Sequence, residues 1–168
     1  SKYIGLKMPE LVDPTDSLIS FQYAFSNGLI KPSPCIVHPN MKVLLDDAEG
    51  TPRFTYAFFE GENVKGVAIY VPAEFVEGKP CFGVGYAVAD EYKAQGIGTQ
   101  LLIASIEEMQ YGFRNSFNEF YVEAIVGVGN QASNKLAAKV LSDTPEPGTD
   151  SYSGKPINQY MKLFKTTK

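Results

Sequence analysis

The sequence predicts an α+β fold, a mixed and mostly antiparallel central sheet flanked by helices. Three observations lead there. Several segments carry apolar residues at helical spacing. Others are short runs rich in Val, Ile, Tyr and Phe, bounded by glycine and proline. The two kinds follow one another as helices, hairpin, strand, helix, strand, helix, strand, which is not the strict alternation of a doubly wound sheet.

The elements follow in order. "DPTDSLISFQYAFSNG" reads as a first helix, with Asp13 or Thr15 as cap, Leu18, Phe21 and Phe25 on one face, and Asn27-Gly28 as its stop. "KPSPCIVHPN" is proline punctuation, and "NMKVLLDDAEG" reads as a short second helix ending at Gly50. Arg53–Gly61 and Val64–Pro72 flank the turn "GEN" and form a hairpin in which Phe54, Tyr56 and Phe58 share a face. "EFVEGKP" is a connecting loop. Cys81–Ala89 is a glycine-rich strand, a composition that marks a bulge or a close backbone approach. The helix from about Gly98 to Tyr111 turns Leu102, Ile106, Met109 and Phe113 inward and Gln100, Glu107 and Glu108 outward. Glu119–Val128 is a strand of a sheet interior, and Asn130–Leu141 is a helix with Leu136 and Val140 as its core pair. "SDTPEPGTDSYSGKP" is a long turn-rich loop, and "NQYMKLFK" is the last strand.

The bulk numbers set the class. The 168 residues fit one domain, 1–168, able to bury roughly 70% of its unfolded surface without staples. A net charge of −4 argues against a nucleic-acid partner, which needs a basic face, while leaving room for a local basic patch. Two cysteines, Cys35 and Cys81, make neither a disulfide framework nor a metal cluster, and the single histidine, His38, excludes a His-rich metal site. The cysteines read as small buried hydrophobes and His38 as a loop or cap residue. With no apolar run near 18 residues there is no membrane span, and the setting reads as cytoplasmic and reducing.

The chemistry concentrates in "GYAVADEYKAQGIGTQLL". A helix begins with unpaired N–H groups and a partial positive charge. Glycines before it let an anion approach those amides closely. Lys93 to Thr99 therefore fits a pyrophosphate, although a tight strand-to-helix turn would use the same residues. The turn is neither a Walker A loop nor G-x-G-x-x-G.

Lys93-Ala94-Gln95-Gly96-Ile97-Gly98 resembles motif A of the GNAT N-acetyltransferase superfamily, with Lys where the family usually has Arg or Gln. Asn130, Ser133, Leu136 and Lys139 resemble the N-x-x-Ser-x-x-Val/Leu-x-x-Lys segment of its ribosomal-protein N-terminal acetyltransferase branch. The resemblance implies a helical acceptor-side region over 1–52, a hairpin and acetyl-CoA core over 53–141, and a C-terminal loop and strand over 142–168. It implies that acetyl-CoA, the co-substrate, lies where strands 81–89 and 119–128 splay, with no metal. Backbone groups of Tyr86, Ala87 and Val88 would line the acetyl-pantetheine arm. Lys93, Ala94, Gln95, Gly96, Ile97, Gly98 and Thr99 would take the pyrophosphate. Asn130 would touch the arm, and Ser133 would sit near the sulfur.

The implied reaction is direct attack of a primary amine on the thioester. Deprotonating a lysine amine at pH 7 costs roughly 4–5 kcal/mol, an α-amine only about 1 kcal/mol. The tyrosine that many members use as acid is replaced by the Leu136-Ala137-Ala138 run, leaving Ser133 as the candidate hydroxyl. As a first-turn residue, Ser133 would otherwise bond its own backbone. Glu123 is the candidate base; alternatively it faces the other side of the sheet against a surface cation. Glu74, Glu77 and Asp150 lie on loops that would border the acceptor, and Asp90 and Glu91 read as solvated. Tyr86 and Phe82 argue for short acyl groups. The acceptor is a small-molecule amine or a peptide or protein N-terminus, and the chain is a monomer or homodimer. The competing reading is a catalytically silent acyl-CoA-binding or interaction module.

Overall fold

The structure, a computed structural model, describes residues 13–168. Residues 1–12 of the acceptor-side region expected over 1–52 lie outside the described residues. The described chain opens on a capped helix: Asp13 Oδ1 accepts from Thr15 N at 2.9 Å, and Pro14 occupies the first turn of α1 (Pro14–Ser26). Its exit is Asn27, followed by Gly28 at a φ of 69°.

The strands are β1 (Ser33–Pro34), β2 (Met41–Ala48), β3 (Thr51–Glu60), β4 (Asn63–Val76), β5 (Lys79–Val88), β6 (Glu119–Gly127), β7 (Glu146–Thr149) and β8 (Pro156–Lys165). They form one eight-stranded sheet in the order β1-β2-β3-β4-β5-β6-β8-β7. Every neighbouring pair is antiparallel except β5 and β6. Two further helices, α2 (Ile97–Gly112) and α3 (Gln131–Val140), complete the fold of the described residues.

The core divides by sheet face. Leu101, Leu102, Ile106 and Met109 of α2 pack with Tyr56, Ala68, Tyr70, Val84 and Val122. Leu18 and Phe21 of α1 pack with Ala57, Val64 and Val67. Because strand side chains alternate, Ala68 and Val67 point to opposite faces, so α1 covers one face while α2 and α3 cover the other.

Four expectations are corrected. Residues 40–50 are not a helix; β2 pairs with β3 from Met41↔Phe58 to Ala48↔Thr51. Val43 joins the core on the α2 side and Leu44, its neighbour, the core on the α1 side, the alternation of a strand. Glu49 and Gly50, at φ 53° and 85°, make the two-residue turn that a right-twisted hairpin prefers. Tertiary pairing and the Arg53–Asp46 ion pair at 2.6 Å thus override a sequence with local helix character.

The segment "EFVEGKP" is not a loop either. It is the end of β4, a tight turn at Glu77 and Gly78 (φ 51° and 76°), and the start of β5. Residues 142–156 contain β7, which pairs with β8 from Glu146↔Gln159 to Thr149↔Pro156. Finally, Glu108 does not point outward; it is 8% exposed. Its carboxylate accepts the backbone N–H groups of Ile36, Val37 and His38 at 2.7–3.1 Å. The proline-rich segment turns its amides inward, and a carboxylate is the acceptor that satisfies several donors at once.

Candidate active site

The parallel strands separate. β5 and β6 pair only at Cys81↔Tyr121, Phe82↔Val122 and Gly83↔Glu123. Beyond that point β5 stays on β4 as far as Val88, and β6 stays on β8 as far as Gly127. A wedge therefore opens inside the sheet, and its walls are backbone edges that neither strand satisfies for the other. Such an edge accepts an extended, amide-bearing ligand as it would a strand. Tyr86, Ala87 and Val88 lie on this wall.

At the open end of β5 comes the turn. A short 3₁₀ turn (Asp90–Tyr92) leads into Lys93 to Thr99. Ala94 and Gly96 both adopt left-handed backbone, at φ 61° and 75°. Left-handed alanine costs about 1–2 kcal/mol, strain of the kind that persists at binding loops. The first bond of α2 runs from Gln100 N to Gly96 O at 3.1 Å, so the amides of Ile97, Gly98 and Thr99 have no acceptor within the helix. Alternating backbone handedness followed by free helix amides is an anion nest. Lys93 Nζ lies 2.8 Å from Asp90 Oδ1, and this contact holds the Asp90 carboxyl below its ordinary range.

The two glycines do different work. A Cβ on Gly96 would have only Gln100 Nε2 near it, at 3.9 Å; what the position requires is the positive φ. A Cβ on Gly98 would stand 2.7 Å from Leu136 Cδ1, so Gly98 lets α3 pack closely on α2. In β5, Gly85 admits α1 in the same way: its Cβ would meet Pro14 Cγ at 2.9 Å.

The start of α3 forms the other lip. Asn130 Oδ1 caps Ser133 N at 3.1 Å, and Asn134 Nδ2 donates to the carbonyls of Gly127 and Asn130. Asn134 Oδ1 accepts from Tyr160 Oη at 2.6 Å and from Asn158 Nδ2 at 3.0 Å. Tyr86 Oη crosses from β5 and donates to Ser133 O at 2.8 Å. Sequence reasoning missed Asn134, Asn158 and Tyr160. The polar start "NQASN" was the available signal for the first; the other two needed the β6–β8 register.

Glu123 sits at the apex of the wedge, 1% exposed. Gln159 Nε2 donates to its Oε1, and Cys81 Sγ is 4.0 Å from Oε2. Since Val122 and Ala124 join the core on the α2 side, Glu123 faces the α1 side. Its side chain is thus buried on that side of the sheet. Its partner in register, Gly83, has no side chain to cover it.

Of the loop acids, Asp150 lies by the opening: it precedes Pro156 and Ile157, which pair with Thr149 and Gly127. Ser153 Oγ and Tyr152 N donate to it and lower its pKa. Glu74 and Glu77 lie at the opposite, closed end, where Glu77 accepts from Tyr121 Oη at 3.1 Å. Phe82 also belongs to that end, stacked on Phe113 at 5.2 Å, and does not limit an acyl pocket at the opening. Among the described residues no group of His, Cys, Asp and Glu could hold a metal ion, and no helix is long and apolar enough to cross a membrane.

Residues 24–142 match the sequence profile of the acetyltransferase (GNAT) family. No curated protein matches the chain. Among solved structures, RimL, a ribosomal L7/L12 α-N-protein acetyltransferase in complex with coenzyme A, is similar at 22% identity and a TM-score of 0.52 over 68% of this chain, which spans 64% of that protein's length. A GNAT-family acetyltransferase from Streptococcus pneumoniae is similar at 13% identity and a TM-score of 0.50, over 92% of this chain and 98% of that one. Mycobacterium smegmatis RimJ in complex with a CoA disulfide is similar at 14% identity and a TM-score of 0.50, over 68% of this chain and 54% of that one. At these identities the likeness is one of fold.

Proposed function

The chain belongs to the GNAT acetyltransferase family, and from that premise we propose that it transfers an acetyl group from acetyl-CoA to a primary amine by direct attack on the thioester. The observation that carries this reading is the separation of β5 from β6 after Gly83 and Glu123, opening toward the nest at Lys93–Thr99. A pyrophosphate suits the nest because Gly96 leaves its approach open and the amides of Ile97, Gly98 and Thr99 are free to donate. An amide-bearing pantetheine arm suits the free edge of Tyr86, Ala87 and Val88, with Asn130 and Ser133 opposite.

In this reading Glu123 is the base. Its carboxylate lies at the apex of the wedge, where the pairing of β5 with β6 ends and the thioester arm would reach furthest into the sheet. Ser133, half-buried on the first turn of α3, hydrogen-bonds the departing sulfur. The acceptor we favour is a peptide or protein N-terminus over a lysine side chain, because the neutral α-amine costs less to form. RimL, by its description, acts on such an amine. A cytoplasmic setting suits two buried cysteine side chains.

A second reading, a silent acyl-CoA-binding module, is favoured by one observation: the Leu136-Ala137-Ala138 run, around the place where many members of the family carry the acid, has no hydroxyl, and Ala137 is fully buried. Calorimetric titration with acetyl-CoA tests both readings. Binding is the expected result, and no binding at high micromolar concentration would rule out both.

A further inference from the structure

The side chain of Tyr86 has a place in the site beyond its backbone. Tyr86 lies past Gly83, on the wall of the wedge, and packs on the α2–α3 side of the sheet. Its hydroxyl donates to Ser133 O at 2.8 Å, spanning from the strand to the first turn of α3. The residue it binds through the carbonyl, Ser133, is the one whose hydroxyl the proposed function puts beside the sulfur. The bond it makes is exchangeable, because a carbonyl in the first turn of a helix is also the acceptor of an intrahelical N–H. Burial raises the Tyr86 pKa above the ordinary tyrosine value, so the group keeps its proton at neutral pH. Tyr160 also carries a hydroxyl on this side. It is 3% exposed and bound to Asn134 Oδ1, which also holds Asn158, so it buttresses α3.

We propose that the Tyr86 hydroxyl is the proton donor to the departing thiolate, a role that rests on the acetyltransferase reading above. The amine nitrogen bonds to the acyl carbon as the C–S bond breaks, and sulfur leaves with the electron pair. The Tyr86 hydroxyl proton passes to sulfur and gives the thiol. The proton shed by the nitrogen goes to the base, and solvent returns one to the tyrosinate. Ser133 orients the sulfur.

The test compares wild type with Tyr86→Phe, using an amine that wild type accepts and two acyl donors. One is acetyl-CoA; the other is an acetyl thioester of an aryl thiol, whose thiolate leaves without a proton. The expected result is a kcat loss of about 100-fold with acetyl-CoA, an unchanged KM for acetyl-CoA, an unchanged melting temperature, and near parity with the aryl thioester. An equal loss with both donors, or a loss carried by KM, would overturn the assignment while leaving the acetyltransferase reading in place. A wild-type protein that releases no thiol with any amine would overturn that reading and the assignment with it.

Discussion

Gly83 and Glu123 are the last residues at which β5 and β6 remain paired. This single register position sets both the apex of the wedge and the depth of its buried carboxylate, and the first prediction concerns that carboxylate. Glu123→Gln keeps the shape and can still bond Gln159 by turning its amide. As the base, its loss lowers kcat by about 100-fold or more while acetyl-CoA affinity is retained. Steady-state kinetics beside calorimetry separate the two quantities; an unchanged kcat would remove Glu123 from the chemistry.

The glycines of the turn should fail differently. Gly96→Ala forces a side chain into left-handed backbone at about 1–2 kcal/mol and weakens acetyl-CoA binding in calorimetry. Gly98→Ala pushes on Leu136 and costs about 1 kcal/mol of folding stability. In a Leu136→Ala background that second cost shrinks, because the atom in the way is gone. Denaturant melts of the four variants of this cycle measure the coupling.

Glu108→Ala removes the acceptor of the amides at 36–38. With donors left unsatisfied and partly reachable by water, the cost is about 2–4 kcal/mol. Hydrogen exchange should localise the loss to residues 36–38 and to the second half of α2. Uniform protection in the variant would argue against this role.

Alkaline pH should destabilise the protein, starting with Cys35. Burial, assisted by Glu108, pushes its thiol up to about 12. An unfolded cysteine ionises near pH 8.5, as an order-of-magnitude reference. Above that pH the unfolded chain has lost a proton that the folded chain keeps, so stability falls as pH rises toward the folded value. The buried tyrosines Tyr56 and Tyr70, also raised, extend the fall at higher pH. Cys35→Ala should delay the onset of the decline in denaturant midpoints measured across this range.

Much of the site was legible because its signals are local. A glycine turn before a helix and a helix start at Asn130 are written in adjacent residues, and both fall where the sequence puts them. The strand that reads as a helix, Met41–Ala48, was not legible: its conformation is set by pairing with β3, and only Glu49-Gly50 hinted at the turn. β7 was hidden for the same reason, since "EPGT" has little strand character until β8 supplies the partner. Glu108 misled because its binding partners lie 70 to 72 positions away along the chain. The side chains of Tyr86 and Tyr160 converge on α3 through the register of three strands, which no local pattern carries.

The decisive measurement is amine-dependent release of CoA thiol from acetyl-CoA, followed with a thiol reagent across peptides bearing a free N-terminus and small primary amines. Both cysteines of the protein are buried, which keeps the background low. The result predicted is thiol release above the amine-free rate, matched mole for mole by an acetylated amine. Acetyl-CoA binding with no release above that rate for any amine would contradict it and leave a protein that holds the thioester without using it.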